Sequence, residues 1–215
     1  MLERFREAVA RLLTPAARLL VRLGVGPDVV TWVGTGLVVL IAAVLVPLGW
    51  LWQAALLLGL VSFADMLDGQ MARVGGAGTR WGSFLDSALD RVGDGAVLGA
   101  IAVWFAIKDQ PVWVGVTVVA LVLGQVTSYA KARAASEGWT VTGGLAARAD
   151  RLVIAYLGLL LHGIGMPYAL PVAMALLAVA SMITVVQRFA QVHRQASVPA
   201  EGSAAEPPTG SGEGE

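Results

Sequence analysis

The chain contains no cysteine, which excludes a disulfide framework, a thiolate metal site and a cysteine nucleophile. Charge is scarce too. Only 14% of residues are charged, against about 25% in a typical soluble domain. Histidine is limited to His162 and His193, which fall at opposite ends of any helical bundle drawn from this sequence, so they cannot share a site and read as interfacial. No internal repeat is visible. The start, MLERFREAVARLL, spreads acids and arginines through its length, so no cleavable signal peptide is expected. What fills the space is apolar. The 215 residues are 57% hydrophobic, with mean hydropathy +0.73. This is the composition of a membrane protein, and nothing in it points to nucleic acid.

A spanning helix needs about 20 mostly apolar residues. Six segments qualify: Val29–Leu48, Leu51–Arg73, Gly82–Ile107, Val112–Arg133, Arg148–Ile164 and Tyr168–His193. Short turns rich in Pro or Gly separate several of them, at Pro47–Trp50, Lys108–Pro111 and Gly163–Pro167. Residues Leu2–Leu23 interleave Arg4, Arg11, Arg18 and Arg22 with Phe5, Val9, Leu12, Leu19 and Leu20, the pattern of an amphipathic helix lying on a membrane surface. The expected fold is therefore an all-α integral membrane protein, with six transmembrane helices and an N-terminal amphipathic juxtamembrane helix. Residues 1–24 form the interfacial helix and residues 25–196 the six-helix domain. Residues 197–215, rich in Gly, Pro, Ser, Ala and Glu without periodicity, form a disordered tail.

The formal charge of zero hides an asymmetry along the chain. Arg4, Arg6, Arg11, Arg18 and Arg22 precede the first span. Arg73, Arg80 and Arg91 flank the second connection, and Lys131, Arg133, Arg148 and Arg151 the fourth. Arg188 and Arg194 come at the end, and only Lys108 falls on the other side. The positive-inside rule then puts both termini in the cytoplasm of a cell whose plasma membrane the chain crosses several times. Most of the tryptophans (Trp50, Trp52, Trp81, Trp113, Trp139) lie near span ends and read as interface anchors.

Four acids stand at or inside the apolar segments: Asp65 and Asp68 near the end of the second span, Asp86 and Asp90 near the start of the third. A carboxylate in a bilayer is costly, so it marks a functional site unless shown otherwise. Residues three or four apart share a helix face, so each pair points one way. The short Gly-rich link around Val74–Arg80 predicts that the two helices are antiparallel neighbours with the pairs facing. Such a cluster needs compensating cations. Hard oxygen ligands select Mg2+, Mn2+ or Ca2+, and two ions sharing carboxylates could clamp phosphoryl oxygens. Small residues at Gly69, Ala72 and Gly82 leave room for close approach. Asp94 continues the spacing one turn deeper and reads as an acid paired with Arg91 or another polar group rather than as a ligand. Ser62, Ser128 and Tyr129 could line a polar cavity or bond between helices.

Asp65 to Asp90 follows D-x-x-D-G-x-x-A-R-x8-G-x-x-x-D-x-x-x-D throughout. That pattern resembles the signature of the CDP-alcohol phosphotransferases. The resemblance implies a six-span fold with a cytosolic site, and a reaction in which an alcohol displaces CMP from a CDP-linked partner, usually CDP-diacylglycerol, with Mg2+ or Mn2+ present. It implies metal ligation by Asp65, Asp68, Asp86 and Asp90, with Asp90 also the general base that takes the proton of the attacking hydroxyl. Gly69 and Arg73 match positions that contact the CDP moiety. Thr79 and the run Asp28-Val29-Val30-Thr31 resemble further contacts to the nucleotide lipid, although Asp28 and Thr31, just after Pro27, could equally cap the first helix. A homodimer is implied as well.

The acceptor is addressed by a second set of residues. Lys131, Arg133, Arg148, Arg151 and Arg188 gather on the cytosolic side, where they read either as positive-inside charges or as a pocket for a phosphorylated acceptor. The stretches T14-P-A-A-R18, P27-D-V-V-T31, F63-A-D-M-L-D-G69, S128-Y-A-K-A-R133, R148-A-D-R-L152 and V186-Q-R188 are similar to the actinobacterial phosphatidylinositol phosphate synthases. That similarity implies 1D-myo-inositol 3-phosphate as acceptor, with Lys131, Arg151 and Arg188 matching its contacts by position and Arg133 and Arg148 as further candidates. The usual Arg-Pro pair at the start of the fifth span is Arg148-Ala149 here. Three alternatives stand beside this reading: phosphatidylglycerophosphate synthesis from glycerol 3-phosphate, a divalent-cation transporter, and a non-catalytic membrane scaffold. The acids lie towards one face and no repeat is seen, which separates this chain from many transporters.

Overall fold

The computed structural model describes residues 14–15, 17–75, 79–144 and 148–197, with the backbone alone for 66–70 and 72–75. Six helices follow one another from Pro27 onward: α1 (Pro27–Leu45), α2 (Leu51–Gly75), α3 (Arg80–Ile107), α4 (Pro111–Ser136), α5 (Arg148–Gly163) and α6 (Ala169–Ala196). Most of the surface helix expected over Leu2–Leu23 lies outside the described residues, of which 17–22 are helical. The tail beyond residue 197 lies outside them too.

Local chemistry explains where the helices start. Pro27 and Pro111 open α1 and α4 at a position where the missing N–H costs nothing. Thr79 caps α3, its hydroxyl accepting from the Gly82 amide at 2.9 Å. The turn after α1 needs Gly49, at φ +81°. Three helices are long and apolar enough to cross a membrane: α1, α4 and α6. They make this a membrane protein.

The packing closes into a ring. α1 lies against α2 and α3; α2 continues to α5, α5 to α6, α6 to α4, and α4 returns to α3. The acid-bearing helices α2 and α3 both pack on α1, and their acids converge at one end of the ring. Large apolar side chains such as Trp32, Leu40, Leu60, Val122 and Val179 point outward and are exposed. The interior holds Leu58, Ile101, Phe105, Leu159, Met174 and Leu177. It also holds Asp94, Arg151 and Arg188, each buried. Apolar outside with charge within is the arrangement a lipid solvent favours.

Candidate active site

The chain reverses at each turn, so the C-terminal halves of α2, α4 and α6 meet the N-terminal ends of α1, α3 and α5 at one end of the ring. Asp65 comes from α2, and Asp86 and Asp90 from α3. One carboxylate oxygen of each lies within 4.8 Å of the others. Asp65 and Asp90 are half-buried and Asp86 is exposed, so the cluster opens at the end of the bundle. Gly34 of α1 lies beside the cluster, and a Cβ there would lie 3.2 Å from Asp65 Oδ1. A glycine at this point of α1 leaves the Asp65 carboxylate room to reach the other acids. The side chains of Asp68, Gly69 and Arg73 lie outside the described residues, although their backbone belongs to α2.

Three hard carboxylate donors this close fit a divalent cation better than they fit one another, since like charges in a partly desolvated place repel. Among the described side chains, the cation nearest these acids is Arg148 of α5. Its Nη2 lies 2.8 Å from Asp90 Oδ1, and its Nε 3.4 Å from Asp94 Oδ1. Arg91 stands 3.7 Å from Asp90. Arg148, expected among the acceptor contacts, bridges the acid cluster and Asp94 in this structure.

The nucleotide-side residues fall into two groups. Asp28 and Thr79 come together over Gly82, where a Cβ would lie 3.3 Å from Asp28 Oδ1 and 3.2 Å from Thr79 Oγ1. Neither Asp28 nor Thr31 caps α1; Gly26 holds that position, with no side-chain bond. Thr31 donates back to the Pro27 carbonyl at 3.1 Å. Val29 and Val30 line an apolar groove of about 270 Å³ between α1 and α2, whose wall ends at Asp65.

The basic residues divide in the same way. Arg151 and Arg188 are buried, at 5% and 8% exposure. Arg151 Nη2 donates to Asp94 Oδ2 at 2.9 Å. Arg188 donates to the Thr127 carbonyl at 2.6 Å and to the Gly143 carbonyl at 3.3 Å. Lys131 is exposed on α4. Arg133 is exposed and engaged locally with Glu137 and Ser136. The strand of chain that supplies Gly143 is fastened to α6 by two glutamines: Gln191 and Gln195 each bond the backbone N–H and carbonyl of Thr142 and Thr140 respectively.

Sequence reasoning did not single out Gly34, Gly124 or Tyr156. Tyr156 hydrogen-bonds Ser62 at 2.9 Å. The pair lines a small polar cavity beneath the acids, with room for about one water, together with Asp65, Asp94 and Arg148. Ser62 thus both lines a cavity and joins two helices. A tyrosine or glycine inside an apolar run carries no periodic signal that would mark it. Asp94 pairs with Arg148 and Arg151 rather than with Arg91. His162, near the end of α5, packs edge-on against Trp104, ring centres 5.0 Å apart.

The family model for CDP-alcohol phosphatidyltransferases matches residues 25–186. The chain belongs to that family. As a CDP-alcohol phosphatidyltransferase it is an enzyme of phospholipid biosynthesis, and the matched residues take in every helix from α1 to α5 and most of α6. Among curated proteins, it is 44% identical over 203 residues to the phosphatidylinositol phosphate synthase of Cutibacterium acnes, covering 90% of this chain and 98% of that one. It is 44% identical over 186 residues to the protein of the same name from Corynebacterium glutamicum, covering 86% and 85%. Among solved structures, the Mycobacterium tuberculosis phosphatidylinositol phosphate synthase with CDP-DAG bound superposes with a TM-score of 0.80 at 44% identity, covering 85% of this chain and 94% of that one. The same protein in complex with manganese and citrate gives 0.81 at 45% identity, covering 84% and 88%.

Proposed function

We propose that this CDP-alcohol phosphatidyltransferase makes phosphatidylinositol phosphate, transferring the phosphatidyl group of CDP-diacylglycerol to 1D-myo-inositol 3-phosphate with release of CMP. The observation that carries the reading is the juxtaposition at one end of the ring: three converging carboxylates on one side, and two buried arginines, Arg151 and Arg188, on the other. A free, uncharged alcohol would not need buried guanidinium groups, whereas a phosphate ester uses their fork of donors. The relatives' names and the bound CDP-DAG of the mycobacterial structure agree with both substrates' chemistry.

Asp65, Asp68, Asp86 and Asp90 hold the divalent metal, Mg2+ or Mn2+, in two sites. When bound, the metal offsets negative charge on the pyrophosphate and on departing CMP. The remaining work belongs to the chain. Gly69, Arg73, Thr79 and Asp28 receive the nucleotide, and Val29 and Val30 present an apolar wall to the lipid. Lys131, Arg151 and Arg188, with Arg133 at the rim, receive the acceptor phosphate. Asp90 takes the proton of the attacking inositol hydroxyl, and that oxygen forms its bond to the phosphorus as the bond to CMP breaks. All six helices span the plasma membrane, the site faces the cytoplasm, and the protein works as a homodimer.

The test is CMP release by purified protein supplied with CDP-diacylglycerol and, in turn, inositol phosphate, free inositol, glycerol 3-phosphate and serine, with and without Mg2+ or Mn2+. Turnover with inositol phosphate and metal alone is the expected result. Turnover with glycerol 3-phosphate instead would assign the protein to phosphatidylglycerophosphate synthesis.

A further inference from the structure

The acid cluster and the buried arginines are not separate. A chain of alternating charges joins them: Asp90 to Arg148, Arg148 to Asp94, Asp94 to Arg151. Asp94 is the middle of that chain and lies on α3 one turn beyond Asp90. It is buried, at 7% exposure, and it is not one of the acids whose oxygens converge. Its two oxygens face two different arginines, Oδ1 towards Arg148 and Oδ2 towards Arg151.

Stability alone is a poor reason for such an arrangement. A buried ion pair recovers little more than its desolvation cost, and an apolar pair of the same volume would often do as well. The surroundings point to orientation. The Arg151 guanidinium is confined on its other side by α4, where Gly124 makes room for it: a Cβ there would lie 3.3 Å from Nε and 3.6 Å from Cζ. A carboxylate on one helix and a glycine on the next hold the planar group at a set angle. Arg148 is steadied at the same carboxylate while its other end reaches the acid cluster. Asp94 and Arg148 also share the wall of the small polar cavity with Asp65.

We infer that Asp94 is a positioning residue for the acceptor: it aims Arg151 for the phosphate of the incoming alcohol. The inference rests on the proposed reading of Arg151 as an acceptor contact. It predicts that Asp94 affects one substrate and not the other, and that it acts through Arg151.

The experiment is steady-state kinetics of purified, lipid-reconstituted protein with CDP-diacylglycerol, inositol phosphate and Mg2+, comparing Asp94→Asn, Asp94→Glu, Arg151→Gln and the double variant Asp94→Asn/Arg151→Gln. Asp94→Asn should raise the KM for inositol phosphate by about tenfold or more and that for CDP-diacylglycerol by less than about twofold. Asp94→Glu should restore part of the loss. The double variant should be no worse than Arg151→Gln alone, as expected of two residues acting as one unit. Equal effects on both KM values, or a double variant whose losses simply add, would overturn the inference. Should Asp94→Asn fail to fold, Gly124→Ala perturbs the same guanidinium from the other side; it must show the same KM split, and a fall in kcat alone would count against the role. If the wild-type protein uses glycerol 3-phosphate in place of inositol phosphate, the acceptor assignment falls, and the same split measured with glycerol 3-phosphate still decides the role of Asp94.

Discussion

Asp90 stands where two demands meet, since its carboxylate belongs to the metal-fitting cluster and also touches Arg148 at 2.8 Å. Replacing it with asparagine keeps the shape and removes the proton acceptor. Asp90→Asn should therefore lower CMP release by about 100-fold or more, while CDP-lipid binding, measured by titration, partly survives. Unimpaired turnover would remove Asp90 from its role. Gly34 is a second residue whose importance is local. A methyl group there would press on Asp65 Oδ1 from 3.2 Å. The displacement is a few tenths of an ångström, and misplacement by about 1 Å at a reacting centre costs about 100-fold. Gly34→Ala should thus reduce turnover by roughly tenfold without changing the unfolding temperature. Asp65, Asp86 and Asp90, whose oxygens converge, stand out in the sequence because charge in an apolar run is conspicuous. Gly34 does not, because a glycine in a membrane helix is ordinary until its neighbour is known.

The helices are held at distances that small residues set. Near its end α5 passes α2 at Gly163, where a Cβ would lie 2.4 Å from the Trp52 backbone nitrogen and 3.0 Å from its Cβ. Backbone cannot yield as a flexible side chain can. Gly163→Ala should cost about 1–3 kcal/mol, seen as a lower unfolding temperature in detergent, and the site at the far end of α5 should lose activity only as the fold is lost. The six helical segments were legible from hydropathy, with ends close to those observed: Arg148–Ile164 was expected where α5 runs Arg148–Gly163. Their pairing was not. A short Gly-rich link argues that the second and third helices bring their acids together, as they do, but it does not say that α1 packs on both, because that depends on which faces fit.

Among the described residues most of the charge gathers at one end of the molecule. The acid cluster, Arg148, Arg151 and Arg188 share that end, while Lys108 and the Trp104–His162 contact mark the other. The absence of cysteine makes the orientation easy to test. Single cysteines at Ser136 and at Lys108 can be labelled in intact cells with a membrane-impermeant thiol reagent. With the site in the cytoplasm, Lys108→Cys should react from outside and Ser136→Cys only after the membrane is opened. The reverse pattern would invert the topology.

Composition and spacing by themselves determined that the chain is a membrane protein of apolar helices and that its acids sit in two facing-capable pairs, because desolvation makes charge in an apolar run expensive wherever the run finally packs. Only the tertiary structure decided which helix packs on both acid-bearing helices, that Arg148 bridges the acid cluster to Asp94, and that Arg151 and Arg188 are buried against α4. Those outcomes depend on distances between residues far apart in the chain. A helix face states which side chains travel together, but only packing states what they meet.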